Sequence, residues 1–268
     1  MYQTIVLNTL DEVMQIVTEQ EYNVHKKRHR SSFIYRGLSK ETFNLSTTLQ
    51  RNCKHLSCEL ETSILRNFTK YAITEDPTLE SSVWKQMILG QHHGLPTRLL
   101  DWTYSPLTAL HFATTENNLD KMAKHDCVVW KIDINEIHGL LPPKYYEMLG
   151  EEKAGIFTVE MINKIAATTD QYDTDMGDSS MVIIEPPSID PRIINQYSYF
   201  SIIPSRMTDI EGFLNENTQN SVRYVIKKEL RWRIRDMLDQ LNINERIVYP
   251  GLDGLSQWLT RHYYVKDE

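Results

Sequence analysis

The sequence predicts an α+β fold, a single domain with a central mixed or split β-sheet flanked by helices. Three observations carry that reading. Short β-branched and aromatic runs, such as 33–37, 127–132 and 222–226, have strand composition. Between them apolar residues recur at helical spacing, as in Val83, Trp84, Met87 and Ile88. No internal repeat, low-complexity tract or proline-rich linker divides the 268 residues, which suffice to bury one large core without disulfides. The expected organisation is one domain over 1–268, with an N-terminal helical segment 1–30, a core 31–226 and a C-terminal helical cap 227–268.

Composition narrows the class of partner. A net charge of −7 argues against wholesale binding to nucleic acid or to an anionic membrane, although local patches can oppose the mean. Cys53, Cys58 and Cys127 are odd in number and form no C-x-x-C pair, which points to a reducing compartment. The start shows no signal-peptide pattern, and no apolar run reaches the ~20 residues needed to span a bilayer. The expectation is a cytoplasmic protein with no membrane partner.

Taken in order, residues 3–7 read as a strand, and Thr9 to Glu12 has the spacing of a capping box for a helix with Leu10, Val13, Met14 and Val17 on one stripe. The basic run 25–30 is too short for a nucleic-acid surface and reads as a solvated loop. Residues 33–37 form a short buried strand that delivers Arg36 near its end, and a buried guanidinium requires an anionic or hydrogen-bonding partner. Leu60, Ile64, Phe68 and Tyr71 mark a helix beginning near Cys58, with Glu59 in its first turn at the positive end of the dipole.

The helix carrying Trp84 and Met87 runs into the stretch 90–106. Gly94 and Pro96 punctuate a turn there, and a strand is expected over 97–103. Its period of two puts Thr97, Leu99, Asp101 and Thr103 on one face, with Arg98, Leu100 and Trp102 on the other. Ser105 and Pro106 then supply a capping hydroxyl and an N-terminal proline for a helix holding Ala109, Phe112 and Ala113.

Beyond a strand at 127–132, residues 140–150 read as an irregular connection and 159–167 as a helix. The acidic, polar segment 168–180 reads as a mobile loop. Strands follow at 181–185, 197–203 and 222–226. The last long helix presents Leu230, Ile234, Met237, Leu238 and Leu241 on its packed face, leaving Arg231, Arg233, Arg235 and Asp236 to solvent.

Familiar catalytic motifs are missing. Adjacent His92 and His93 point about 100° apart on a helix and have no ligand spacing around them, so no metal is expected. There is no G-x-S-x-G elbow, phosphate loop or dinucleotide glycine fingerprint.

Tyr35-Arg36-Gly37, the run from Gln91 to Trp102, the helix ending Ala109-Leu110-His111-Phe112-Ala113, Arg192 to Gln196 with Phe200, and the Tyr249-Pro250-Gly251-Leu252-Asp253-Gly254-Leu255 segment together resemble the FRG-domain family. The order of elements is also similar to the ADP-ribosyltransferase fold. That resemblance implies NAD as a substrate: Arg36 on an early strand to hold it, Thr103 or Ser105 in the strand-to-helix turn, and Gln196 just before a late strand. The pattern departs from that family where Gln196 stands in place of a carboxylate, which leaves either a weakened or unusual transferase or Glu185 or Glu59 to supply negative charge.

The candidate catalytic residues are therefore Arg36, His92 and Gln196, and the candidate NAD-binding residues are Arg36, Gln91, His93, Thr103 and Ser105. Two function classes stay open. One is an ADP-ribosyltransferase or NAD glycohydrolase with a protein or nucleic-acid acceptor, in a bacterial stress or phage-defence setting. The other is a noncatalytic nucleotide- or protein-binding module in which Arg36, Gln91, Arg98 and Asp101 form a structural polar network. Trp102 and Phe112 are expected in the core.

Overall fold

The computed structural model describes residues 1–74, 76–188 and 190–266. Among these, seven strands form one mixed sheet: β1 (Gln3–Leu7), β4 (Phe33–Leu38), β5 (Leu99–Thr103), β6 (Cys127–Asp133), β7 (Val182–Ile184), β8 (Ser198–Ile202) and β9 (Val222–Ile226). The small hairpin β2 (Tyr22–Asn23) and β3 (Arg28–His29) lies outside it, and the exposed basic run 25–30, expected as a loop, supplies its turn and its second strand. The sheet order is β1-β9-β6-β4-β5-β8-β7, with β1 parallel to β9 and the other neighbours antiparallel. No helix of the described residues is long and apolar enough to cross a membrane.

Alternation along the strands divides the core. Leu100 and Trp102 join Ile34, Val128, Trp130, Ile132 and Val225 on one face of the sheet, while Tyr35, Val129 and Tyr224 pack on the other with Ala109 and Ala113. The helix Pro106–Ala113 lies directly on β4, because Ser105 caps it and Pro106 opens it as the sequence implies. Gly37 permits that approach: a Cβ there would stand 2.1 Å from the Ala109 carbonyl oxygen. The two central strands, by contrast, share a single register pair, Tyr35 with Thr103. The sheet is split at its middle, and the candidate site lies beside that split.

Four expectations are corrected. In the helix Ser57–Ala72 the buried side chains are Glu61 and Leu65, whereas Leu60 and Tyr71 are exposed. The face is turned because Glu61 receives the buried Arg98 guanidinium. Within 140–150 a helix runs over Pro143–Glu151, with Pro143 in its first turn and Tyr145 and Leu149 buried one turn apart. The segment 168–180 holds the capped helix Thr169–Met176, which buries Tyr172 and Met176 and sends Asp173 to Arg98 and Asp175 to Tyr145. Finally, Arg231 and Arg235 of the helix Arg231–Gln240 are buried rather than solvated. Arg231 donates to the carbonyls of Thr115 and His125, and Arg235 to Glu245 and His111.

Candidate functional site

Where β4 and β5 diverge, the Arg36 guanidinium crosses the gap. Its Nη1 donates to the Asp101 carbonyl oxygen at 2.6 Å and approaches Asp101 Oδ2 at 3.5 Å. The Asp101 carboxylate, about half exposed, also accepts from Gln91 Nε2 at 3.0 and 3.2 Å. Thr97 Oγ1 donates to Gln91 Oε1 at 2.6 Å, so the amide is fixed with its NH2 toward Asp101. The turn at Gly94, whose φ of 82° favours glycine, sets the end of the helix Val83–His92 over β5 and so brings Gln91 to Asp101.

A second cluster closes the other wall. Gln196 follows the short helix Pro191–Asn195 and donates from Nε2 to the Val248 carbonyl at 3.0 Å, while its own carbonyl accepts from Thr103 Oγ1 at 2.6 Å. The Arg192 guanidinium lies 5.3 Å from the centre of the Tyr249 ring, and Phe112 meets the same ring edge-on at 6.3 Å. Together these groups line a cavity of about 920 Å3.

The lining carries four cations, Arg36, Lys40, Arg51 and Arg192, against two carboxylates, Asp101 and Glu116. In a chain of net charge −7 this is a local reversal of sign, which favours anions over cations electrostatically. Two guanidinium nitrogens, Arg36 Nε and Arg192 Nε, are buried without a hydrogen-bond partner. Burial pushes the Arg36 pKa down, with the nearby Asp101 opposing and Arg51 assisting the shift. Burial likewise raises the Tyr249 phenol.

Arg36, Gln91, Thr103 and Gln196 line one cavity. His92, His93 and Ser105 are not among its lining residues. His92 Nδ1 faces Asp190 Oδ2 at 3.6 Å, and burial lowers its pKa, which favours the neutral ring. His93 is exposed at the helix end, and the Ser105 hydroxyl accepts from the Thr108 amide as a cap. Glu59 and Glu185 are exposed and absent from the lining. Trp102 is in the core, whereas Phe112 is half-buried and reaches the cavity wall.

Arg98 and Asp101 belong to separate networks, since Arg98 turns to Glu61 and Asp173. The sequence reading missed Arg192 and Tyr249 as site residues, although both fall within the motifs that carry the family resemblance. It also left open whether Asp101 is structural or functional and did not name it as a candidate catalytic residue. Among the described residues no cluster of three or more His, Cys, Asp or Glu could hold a metal ion.

These features define an α+β protein with a polar, cation-rich cavity at the split of its central sheet. Residues 31–122 match the model of the FRG domain, so the chain carries an FRG domain. The matched stretch includes β4, β5 and the helix Pro106–Ala113, while Arg192, Gln196 and Tyr249 lie beyond it. No curated protein and no solved structure shows significant similarity to the chain.

Proposed function

We propose that the cavity binds NAD and that the protein consumes it, as an ADP-ribosyltransferase or an NAD glycohydrolase. The observation that carries this reading is the pair of buried, partnerless Nε groups of Arg36 and Arg192 beside a cavity that also holds the Asp101 carboxylate and the Gln196 amide. A dinucleotide matches that chemistry. Its pyrophosphate oxygens suit planar guanidinium donors, and its ribose hydroxyls suit an amide and a carboxylate. The order of elements supports it further: Arg36 lies on an early strand, Thr103 begins the strand-to-helix turn, and Gln196 precedes β8.

In the proposed reaction the bond between ribose C1′ and the nicotinamide nitrogen breaks, and its electron pair leaves with nicotinamide. Asp101, rather than Gln196, supplies the negative charge that stabilises the oxocarbenium ion, because Gln196 is neutral and already committed to Val248. Water or an acceptor group on a protein or nucleic acid then adds at C1′ and releases a proton. Cys53, Cys58 and Cys127 are free thiols, which accords with a cytoplasmic setting, and NAD depletion accords with a role in bacterial stress or phage defence.

A second reading rests on the hydrogen bonds that Asp101 already accepts from Gln91, which could make it purely structural in a nucleotide-binding module. Calorimetry with NAD and an assay of nicotinamide release separate the two. Binding with release supports the enzyme, binding without release supports the module, and no binding removes NAD from both.

A further inference from the structure

The loop from residue 39 to 46 forms part of the cavity wall and is pinned at several points. The Glu41 amide donates to the Asp126 carbonyl at 2.8 Å, Arg223 Nη2 donates to the Glu41 carbonyl at 2.8 Å, and the Leu45 amide donates to Glu211 Oε1 at 2.8 Å. Within this held loop Phe43 lines the cavity with 46% of its surface exposed. A ring on a rigid loop gains little by remaining wet. It is preorganised for another flat apolar surface.

One cation stands beside the ring, and a second lines the same cavity. Lys40 Nζ lies 5.4 Å from its centre. Arg51 lines the same cavity, its Nη1 donating to the Ser46 carbonyl and its Nη2 to Thr48 Oγ1 at 3.1 Å, so that its guanidinium is fixed by its own helix turn. Arg51 and Arg36 line the same cavity, so both guanidiniums face the space that an anion would enter. The cavity therefore contains two ring-and-cation groups, Phe43 with Lys40 and Tyr249 with Arg192.

We infer that Phe43, Lys40 and Arg51 form a second subsite, which stacks the adenine base of an adenine nucleotide on Phe43 and holds its phosphates between Arg51, Lys40 and Arg36. The inference deepens the NAD reading and rests on it: the Tyr249 end takes the nicotinamide half, and the Phe43 end the adenosine half.

The test is calorimetry on the full chain with three probes, NAD, ADP and nicotinamide mononucleotide, using wild type, Phe43→Ala and Phe43→Trp. Phe43→Ala weakens NAD and ADP by about tenfold, the lower end of the range for losing one base–aromatic stack, and leaves nicotinamide mononucleotide unchanged. Phe43→Trp retains ADP affinity, which separates stacking from loop damage. The subsite is overturned if Phe43→Ala leaves ADP unchanged, if it weakens nicotinamide mononucleotide equally, or if wild type does not bind ADP. Wild type that binds ADP in a Phe43-dependent way but not NAD would keep the subsite and remove the NAD reading.

Discussion

Arg98 and Glu61, 37 residues apart in sequence, form a buried two-point ion pair. Arg98 Nε donates to Glu61 Oε1 at 2.8 Å and to Oε2 at 3.0 Å, its Nη2 donates to Oε2, and its Nη1 reaches Asp173 at 2.6 Å. This pair ties the helix Ser57–Ala72 and the helix Thr169–Met176 to the entry of β5, the strand that presents Asp101. Removing one member of a buried pair strands the other charge. Glu61→Gln is expected to cost about 3 kcal/mol, the lower end for a broken buried pair because Asp173 remains, as read by urea denaturation. A loss under about 0.5 kcal/mol, typical of a surface pair, would refute the structural role.

Gly37 tests the packing that forms the floor of the site. A methyl group there meets the Ala109 carbonyl at 2.1 Å and the Ala113 amide nitrogen at 2.4 Å, both backbone atoms that cannot rotate away. Gly37→Ala should therefore push the helix Pro106–Ala113 off β4 and cost about 2 kcal/mol or more, the overpacking range. Thermal melting is the readout, and an unchanged melting temperature would show that the helix moves freely.

The strands were legible because β-branched runs announce burial on a sheet, and Ser105-Pro106 was legible because capping chemistry is local. Three of the four errors share one physical origin. A charged side chain reads as solvent-facing unless its partner is known; the partners of Glu61 and Arg231 sit far along the chain, and Arg235 is shared between nearby Glu245 and distant His111. The acidic 168–180 segment misled for the same reason, since Asp173 and Asp175 are ionic ligands to Arg98 and Lys144. The site was half legible: Arg36, Gln91, Thr103 and Gln196 converge, while His92 was drawn away by Asp190. Arg192 and Tyr249 matter through a contact of 5.3 Å across distant segments, which no local spacing displays.

His138 predicts a pH dependence of stability. It is buried beneath β7, its Nε2 accepting from the Ile183 amide at 3.1 Å and its ring edge-on to Phe157 at 5.3 Å. Burial lowers its pKa to about 4 from the ordinary 6.5. A depressed histidine keeps its full contribution above pH 6.5, and the folded state loses ground as pH falls toward 4, because only the unfolded chain takes up the proton in that window. The shift corresponds to about 3 kcal/mol between pH 7 and 4. His138→Gln preserves an acceptor for Ile183 but removes the titration, so its stability should vary less over that interval. Parallel pH profiles for variant and wild type would overturn the assignment.

The division of labour between Asp101 and Gln196 gives the sharpest test of the proposed chemistry. Asp101→Asn keeps the size of the side chain and an oxygen to accept from Gln91, but it removes the charge beside the scissile bond. Nicotinamide release should fall about 100–1000-fold, the range for losing one preorganised electrostatic contact, while NAD affinity changes little. Arg36→Ala acts on the other side of that split: it should weaken NAD binding through the lost guanidinium contacts, with release at saturation less affected. Gln196→Glu separates the two carboxylate positions. It replaces the Nε2 donor to the Val248 carbonyl with an oxygen, so it should lower stability by about 1–3 kcal/mol, the cost of leaving a buried polar group unmatched, and should not rescue Asp101→Asn. Rescue of Asp101→Asn by Gln196→Glu would move the catalytic charge to the Gln196 position. Unchanged nicotinamide release in Asp101→Asn would leave that carboxylate a purely structural partner of Gln91 and Arg36.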